Sequence, residues 1–259
     1  MTIWEAILLG IVQGATEFLP VSSSGHLVVS QELLSVEIPG ILFEVAVHLA
    51  TLISILLVYR ARVTELILGC LRGEGDSWRY AGLLVLATIP AAVLGLFFED
   101  AISSFFDDPA VVGYAFLVTG ALLFSARAAL RREPTREPTI GTALLMGFAQ
   151  AFALVPGISR SGSTVVAGLW GGVAGREAAA FSFLMAIPAI LGAAILKLPE
   201  AQAAGLSTGA LLAGSAAAAV TGVLAIRSFV ALLRRQTFHS FAYYLWPAGV
   251  GFLLYLALR

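Results

Sequence analysis

Long runs of apolar residues dominate the chain. Six of them approach the roughly 20 residues that a helix needs to cross a bilayer core of about 30 Å. The pattern therefore predicts an all-α polytopic membrane protein with six transmembrane helices. These predicted spans are Ile41–Val58, Tyr80–Phe98, Ala110–Ala126, Ala178–Leu196, Leu206–Ile226 and Phe241–Leu258.

Two further apolar stretches, Ile3–Leu34 and Ile140–Ala174, are interrupted at mid-length by polar residues, glycine and proline. The interruptions read QGATEFLPVSSSGH at residues 13–26 and PGISRSGST at residues 156–164. Irregular backbone at membrane depth is tolerated only where protein or a water-filled cavity supplies its hydrogen bonds. We therefore expect two re-entrant segments, each made of two half-helices around a turn, with the turns facing each other or a shared cavity.

The basic residues indicate how these segments are oriented. If both broken segments enter and leave on one side, twelve of the 15 lysines and arginines fall on one face. Only Lys197 and Arg259 fall on the other, and Arg160 lies inside a broken segment. The positive-inside rule assigns the arginine-rich face to the cytoplasm, so both termini and the first broken segment are expected outside.

The same order of segments predicts an internal repeat within a single membrane domain over residues 1–259. Each half, about 1–132 and 138–259, holds one broken segment followed by three spans, which inverts the second half relative to the first. Five residues of the first half match residues of the second half at a constant offset. The matched pairs are Gly10 with Gly147, Gln13 with Gln150, Ser22 with Ser159, Ser24 with Ser161 and Gly25 with Gly162.

Composition excludes several other classes of protein. Hydrophobic residues make up 59% of the chain and charged residues 12%, against roughly 45–50% and about 25% in soluble domains. The net charge is −1 and the arginines are scattered, which argues against a nucleic-acid partner. The single cysteine, Cys70, excludes an intrachain disulfide. An oligomer is possible, but nothing in the sequence indicates one.

The two interruptions carry the candidate chemistry. Ser22, Ser23 and Ser24 precede one apolar run and Ser159–Ser163 precede another, and serine is a preferred N-cap residue. Two half-helix N-termini would then direct unpaired N–H groups toward one place, which favours an anion. Arg160 adds a guanidinium suited to phosphate oxygens. Simple helix capping is the competing interpretation of the serines.

Glu17 and His26 suggest more than anion binding. A carboxylate and an imidazole beside a phosphate can act as a general acid and base or as a nucleophile, and Ser23 between them is a second candidate nucleophile. Glu17 could instead hold a divalent cation. The competing structural interpretations are a Glu17–Arg160 ion pair that closes the fold and, for His26, an interior histidine.

Outside the two interruptions, we expect Glu44 and His48 to have a supporting role. Five aromatic residues near span ends are interpreted as membrane-interface residues, namely Phe105, Phe106, Tyr243, Tyr244 and Trp246.

Both interruptions resemble the signatures of the bacterial undecaprenyl-diphosphatase family, also called bacitracin-resistance proteins. Residues 13–26 resemble its (Glu/Gln)-x-x-x-Glu pattern with a following serine-rich turn and histidine, and residues 156–164 resemble its Pro-Gly-x-Ser-Arg-Ser-x-x-Thr pattern. Phe43-Glu44-Val45 is similar as well. Gln13 departs from the family where many members have a second glutamate, and His48 stands where glutamine is usual.

The resemblance implies removal of the terminal phosphate from undecaprenyl diphosphate at the outer face of the bacterial plasma membrane. It implies a polyprenyl diphosphate lipid as substrate and a divalent cation, Mg²⁺, as cofactor. Glu17, His26 and Arg160 are then essential, Ser23 is the preferred nucleophile with His26 as its base, and Glu17 is the candidate metal ligand. Further contacts to the diphosphate are expected from Gln13, Ser22, Ser24, Ser159, Ser161 and Thr164. A transporter or flippase for a polyprenyl phosphate is the alternative, since inverted repeats are typical of alternating access.

Overall fold

In a computed structural model, which describes residues 1–34, 40–197 and 207–259, the chain forms twelve α-helices and a 3-10 turn at Phe238–Phe241 within these ranges. The helices are α1 (Ile3–Phe18), α2 (Ser23–Leu34), α3 (Gly40–Val58), α4 (Arg60–Leu71), α5 (Gly75–Phe97), α6 (Glu99–Ser104), α7 (Pro109–Leu130), α8 (Ile140–Phe152), α9 (Arg160–Trp170), α10 (Gly175–Lys197), α11 (Thr208–Arg234) and α12 (Ala242–Leu258).

Six helices occupy the six predicted spans: α3, α5, α7, α10, α11 and α12. Except for α3, they are long and apolar enough to cross a membrane as they stand, α12 together with the 3-10 turn that precedes it. Helix α3 passes this test together with α4, from which it is bent by 81°. The prediction of a multi-pass all-α membrane protein is therefore confirmed. Leu206, the predicted first residue of the fifth span, lies outside the described residues.

The segment after the first span differs from the expectation of a plain connection, because it forms helix α4. Four arginines lie between residues 60 and 79, and the sharp turn at Tyr59 directs α4 away from the axis of α3. Trp78 Nε1 donates a hydrogen bond to the Cys70 carbonyl at 3.0 Å and fixes the end of α4 against α5.

Both interrupted stretches are pairs of short helices, as expected. The first is α1 and α2 around residues 19–22, and the second is α8 and α9 around residues 153–159. Ser161 Oγ donates to the Leu19 carbonyl at 3.3 Å, so the two turns are in direct contact. A Cβ added to Gly25 would lie 2.8 Å from Gly157 Cα, which brings the first turn of α2 against the turn before α9.

The two halves of the chain pack across each other. Helix α1 packs against α11, with Gly10 against the carbonyl of Gly214, and α8 packs against α5, with Gly147 against the carbonyl of Ala87. A Cβ on Gly147 would lie 2.6 Å from that carbonyl oxygen, so the close approach requires glycine. Gly10 and Gly147 are matched positions of the predicted repeat. The inverted repeat and its boundaries stay a prediction.

A layer of aromatic side chains crosses the interior beside the first turn. Phe18, Phe183, Phe229 and Phe238 are fully buried. Neighbouring rings contact each other edge to face, with centroid distances of 5.6 Å for Phe18–Phe183, 5.1 Å for Phe183–Phe229 and 5.0 Å for Phe229–Phe238. Tyr59 joins this aromatic layer at 6.0 Å from Phe183.

Candidate functional site

The turn between α1 and α2 has an unusual backbone that sets the positions of its side chains. Ser22 adopts a φ of +71°, a left-handed conformation that costs a serine free energy and occurs often at functional sites. The Ser22 hydroxyl accepts a hydrogen bond from the Gly25 N–H at 3.3 Å, and its carbonyl accepts from the His26 N–H at 3.2 Å. The chain reverses direction at Ser22, and Ser23 therefore lies beside the last turn of α1.

Glu17 is the centre of the site. Its Oε2 accepts hydrogen bonds from Ser23 Oγ at 2.7 Å and from Gln13 Nε2 at 3.0 Å, and its Oε1 accepts from Arg160 Nη2 at 2.9 Å. His48 Nε2 lies 3.7 Å from Oε2. The Glu17 side chain is only 7% exposed and that of Arg160 17%, so the ion pair forms in surroundings where water screens it little.

Three polar atoms on α1 and α9 are buried and make no hydrogen bond to the described residues. They are Arg160 Nη1, Gln13 Oε1 and Ser163 Oγ. Leaving a buried polar atom unpaired costs about 1–3 kcal/mol, so the native protein is expected to satisfy these atoms with water or a ligand. Arg160 Nη1 and Ser163 Oγ can both donate to an anion, whereas Gln13 Oε1 can only accept or bind a cation.

His26 is held in one tautomer by its two neighbours. Nδ1 lies 2.8 Å from the Ser22 carbonyl oxygen, which can only accept, so Nδ1 carries the hydrogen. In the neutral ring, Nε2 therefore has the lone pair and accepts from the Tyr244 hydroxyl at 2.7 Å. The two rings also stack, with centroids 5.8 Å apart and planes at 17°. Nε2 is thus the atom available for proton transfer, and Tyr244 covers it.

Ser23 and His26, expected to act as nucleophile and base, make no hydrogen bond to each other in this conformation. Ser23 donates to Glu17 and His26 bonds to Ser22 and Tyr244, because the left-handed Ser22 turns Ser23 back toward the end of α1. In this conformation the nearest base to the Ser23 hydroxyl is therefore the Glu17 carboxylate.

The predicted phosphate ligands of the second segment have mainly local partners. Ser159 Oγ accepts from the Gly162 N–H at 3.1 Å and lies 3.3 Å from Ser161 Oγ, so it caps α9 as one interpretation held. Thr164 is fully buried, donates to the Arg160 carbonyl at 2.7 Å and contacts Ser182 Oγ at 2.6 Å. In the first segment, the Ser22 and Ser24 hydroxyls contact each other at 3.3 Å.

Sequence reasoning missed three residues that support the site. Thr119 on α7 donates to the Gly157 carbonyl at 2.9 Å and accepts from the Ser159 N–H at 3.2 Å, which fixes the second turn. Ser182 fixes Thr164, and Tyr244, taken for an interface residue, bonds His26. His48, which was expected to have a supporting role together with Glu44, bonds the Glu44 carbonyl through Nδ1 at 2.8 Å, and its Nε2 faces Glu17. No local motif marks these residues, because each partner is distant in sequence or faces another helix.

The site offers few ligands to a divalent cation. No group of three or more His, Cys, Asp or Glu side chains that could hold a metal occurs among the described residues. Glu17 and the unpaired Gln13 Oε1 do supply two oxygen ligands on one turn of α1. Mg²⁺ is commonly held by one or two carboxylates together with substrate phosphates. The residues therefore fit a cation that binds together with a phosphate-bearing substrate, rather than a preformed metal cage.

Comparison with known proteins gives a consistent result. A family model described as bacitracin resistance protein BacA matches residues 6–251. The undecaprenyl-diphosphatase of Alkaliphilus metalliredigens is 40% identical over 272 residues, covering 98% of this chain and 99% of the relative. The undecaprenyl-diphosphatase of Syntrophotalea carbinolica is 40% identical over 257 residues, covering 96% and 97%. That of Pelotomaculum thermopropionicum is 38% identical over 264 residues, covering 100% and 98%.

Proposed function

Because the chain belongs to the bacitracin resistance protein BacA family, we propose that it is an undecaprenyl-diphosphatase, which hydrolyses undecaprenyl diphosphate to undecaprenyl phosphate and inorganic phosphate. The observation that carries this proposal is the Glu17 carboxylate, which bonds Ser23 and Arg160 at once. Anion binding alone does not require a carboxylate against a serine hydroxyl. The activity recycles the lipid carrier for cell-wall synthesis.

The diphosphate binds where the two broken segments meet. The first turn of α2 lies against the turn that precedes α9, and the free N–H groups of a helix N-terminus favour phosphate. Arg160 contributes the unpaired Nη1 and, once it exchanges Glu17 for a phosphate oxygen, Nη2 as well. The ion pair is then the resting state of the site, and the substrate competes with Glu17 for the guanidinium.

This exchange prepares the serine for attack. When Arg160 turns to the phosphate, Glu17 Oε2 stays 2.7 Å from the Ser23 hydroxyl and is placed to accept its proton. Ser23 Oγ then attacks the terminal phosphorus, the bond from that phosphorus to the bridging oxygen breaks, and undecaprenyl phosphate leaves. Water hydrolyses the phosphoserine, which releases inorganic phosphate and returns a proton to Ser23.

His26 is the proposed group for the two remaining proton transfers, one to the leaving oxygen and one from the attacking water. Its Nε2 is the available nitrogen once Tyr244 moves aside. The protonated ring can donate from Nε2 to the leaving oxygen, and the neutral ring that results can then accept a proton from the incoming water. Direct attack by Nε2 is the alternative, and it would leave a phosphohistidine instead of a phosphoserine.

We propose Mg²⁺ as the cofactor, held by Glu17 and Gln13 Oε1 together with phosphate oxygens. When bound, the cation supplies neutralisation of charge on the transferred phosphate. The unpaired Gln13 Oε1 supports this assignment.

The site is proposed to face the outside of the bacterial plasma membrane, with both termini on that side. The distribution of arginines supports this orientation, because twelve of the 15 basic residues lie at the opposite face. The C55 tail of the substrate then stays in the lipid while its head group enters between the helices.

The test is release of phosphate from undecaprenyl diphosphate by purified protein in detergent with Mg²⁺. We expect Arg160→Ala and Glu17→Ala to lower the rate at least about 100-fold, whereas the exposed control variants Arg72→Ala and Glu99→Ala keep it. Circular dichroism checks the helical fold, since breaking a buried ion pair costs stability. Undiminished release by either site variant would overturn the assignment. Lipid movement in proteoliposomes without phosphate release would support the transporter instead.

A further inference from the structure

A second cavity lies at the arginine-rich face, away from the catalytic residues. Its volume is about 740 Å³, within the range of small-molecule sites. It is formed by the end of α3, the start of α4, the first turn of α10 and the last turns of α11. A smaller cavity of about 300 Å³ adjoins it and shares Arg176, Val230 and Arg234.

The lining of the larger cavity is strongly basic. Two glutamates, Glu65 and Glu177, face an excess of arginines across it. The five arginines of its wall are Arg62, Arg176, Arg227, Arg234 and Arg235. Three positive charges remain after the glutamates are counted.

Most of these arginines have no acidic partner. Arg62 bonds Glu65 at 3.1 Å and lies over the Tyr80 ring at 4.7 Å. The other four make no salt bridge within the described ranges. Unpaired guanidiniums that converge on one cavity attract an anion, and their planar donors match phosphate oxygens.

The aromatic layer separates this cavity from the catalytic site. Tyr59 lines the cavity and contacts Phe183 at 6.0 Å, and Phe183 contacts Phe18, the neighbour of Glu17, at 5.6 Å. Because Phe18 and Phe183 are fully buried, the two spaces do not connect through them. The arginines are therefore no part of the diphosphate site.

The position and the other wall residues favour a phosphate carried by a lipid. Val58, Ala180, Val230 and Ala231 give the cavity apolar surface beside its arginines, which suits the glycerol and upper chain of a phospholipid. Basic pockets between transmembrane helices on the positive face of a membrane bind anionic head groups. Free phosphate would use the arginines but gain nothing from the apolar wall.

We propose that this cavity binds the phosphate head group of an anionic membrane phospholipid, independently of the diphosphatase site. The competing interpretation is that these arginines only orient the protein in the membrane, as the positive-inside rule describes, and bind no specific ligand. That interpretation predicts that arginines elsewhere on the same face matter equally.

Native mass spectrometry of the detergent-purified protein with phosphatidylglycerol or phosphatidylcholine tests the proposal. The variant Arg176→Gln/Arg234→Gln is expected to bind phosphatidylglycerol about 25-fold more weakly, since each arginine near a membrane surface contributes about fivefold. The same-face control Arg72→Gln/Arg131→Gln is expected to bind like wild type. Arg176→Lys/Arg234→Lys keeps both charges and is expected to retain most of the binding, which separates lost charge from lost fold.

A parallel equilibrium dialysis with labelled inorganic phosphate distinguishes the two sources of the phosphate group. Because free phosphate gains nothing from the apolar wall, we expect it to occupy this cavity only weakly, so that the glutamine variant and wild type bind nearly equal amounts of it. Phosphate binding that falls while phosphatidylglycerol binding persists would overturn the lipid as ligand. The proposal would be contradicted if wild type bound phosphatidylcholine as strongly as phosphatidylglycerol. It would also be contradicted if the control variant lost as much phosphatidylglycerol binding as the cavity variant.

Discussion

At the scale of single residues, one ion pair serves both the fold and the proposed chemistry. Arg160 and Glu17 lie 143 positions apart and join the two broken segments at 2.9 Å. Sequence reasoning treated this ion pair as the structural alternative to a catalytic role, yet the two are compatible. A phosphate can replace the Glu17 carboxylate at Arg160, whereas an apolar contact between the two segments would give the phosphate no charged group to bind.

Tyr244 tests whether the hydrogen bond to His26 matters. Replacing Tyr244 by phenylalanine keeps the stacked ring and removes the hydroxyl that holds Nε2 at 2.7 Å. We expect kcat to rise about threefold to tenfold with KM nearly unchanged, because Nε2 no longer gives up a hydrogen bond of ordinary strength before it transfers a proton. Tyr243→Phe is the matched control on the same helix, and an equal rise there would contradict a specific role of Tyr244.

Gln13 tests the proposed cation. In Gln13→Glu a second carboxylate stands one turn before Glu17, where Gln13 is fully buried. We expect half-maximal activity at a lower Mg²⁺ concentration, by about tenfold, because carboxylates bind Mg²⁺ more strongly than amides. Titration of phosphate release with Mg²⁺ measures this shift. An unchanged Mg²⁺ requirement in a folded variant would place the cation elsewhere.

At the scale of elements, the close contact between α2 and the turn before α9 creates the site. Gly25 lies in the first turn of α2, where an added Cβ would meet the Phe116 ring at 2.5 Å and Gly157 Cα at 2.8 Å. Only a glycine allows this approach, because the atoms that a Cβ would meet belong to a packed ring and to backbone.

Gly25→Ala is expected to destabilise the protein and to lower phosphate release at least about tenfold. In an unconstrained helix the same change stabilises by about 0.5–1 kcal/mol, so the sign separates packing from helix propensity. Gly82→Ala is the control, because a Cβ there meets nothing within 4 Å. Thermal unfolding measures both variants, and a higher melting temperature for Gly25→Ala would refute the close contact.

The sequence predicted the elements better than the contacts between them. Apolar length marks the spans, and polar interruptions mark the broken segments, because the bilayer penalises unpaired backbone. The Ser23–Glu17 bond depends on the left-handed Ser22, and serine carries no signal for that conformation. The Tyr244–His26 bond joins residues 218 positions apart, which no local pattern encodes.

At the scale of the whole molecule, the two proposed binding sites lie on opposite sides of the aromatic layer. In the orientation that the arginines predict, the proposed diphosphate site opens to the outside and the basic cavity lies at the cytoplasmic face.

The chain's own Cys70 tests this orientation. It is the only cysteine, lies in α4 and is partly exposed, so a membrane-impermeant maleimide should label it only after intact cells are permeabilised. A cysteine introduced as Ser103→Cys on α6, in a Cys70→Ser background, should react in intact cells. Labelling with the opposite pattern would invert the molecule and place the site inside.

Phosphate release by Ser23→Ala tests the central claim most directly. The serine hydroxyl 2.7 Å from Glu17 is the proposed nucleophile, and its removal should lower release from undecaprenyl diphosphate at least about 1,000-fold. Ser30→Ala, two turns further along α2, is the matched control and should release phosphate at the wild-type rate. A Ser23→Ala protein that is folded and keeps the wild-type rate would contradict the account.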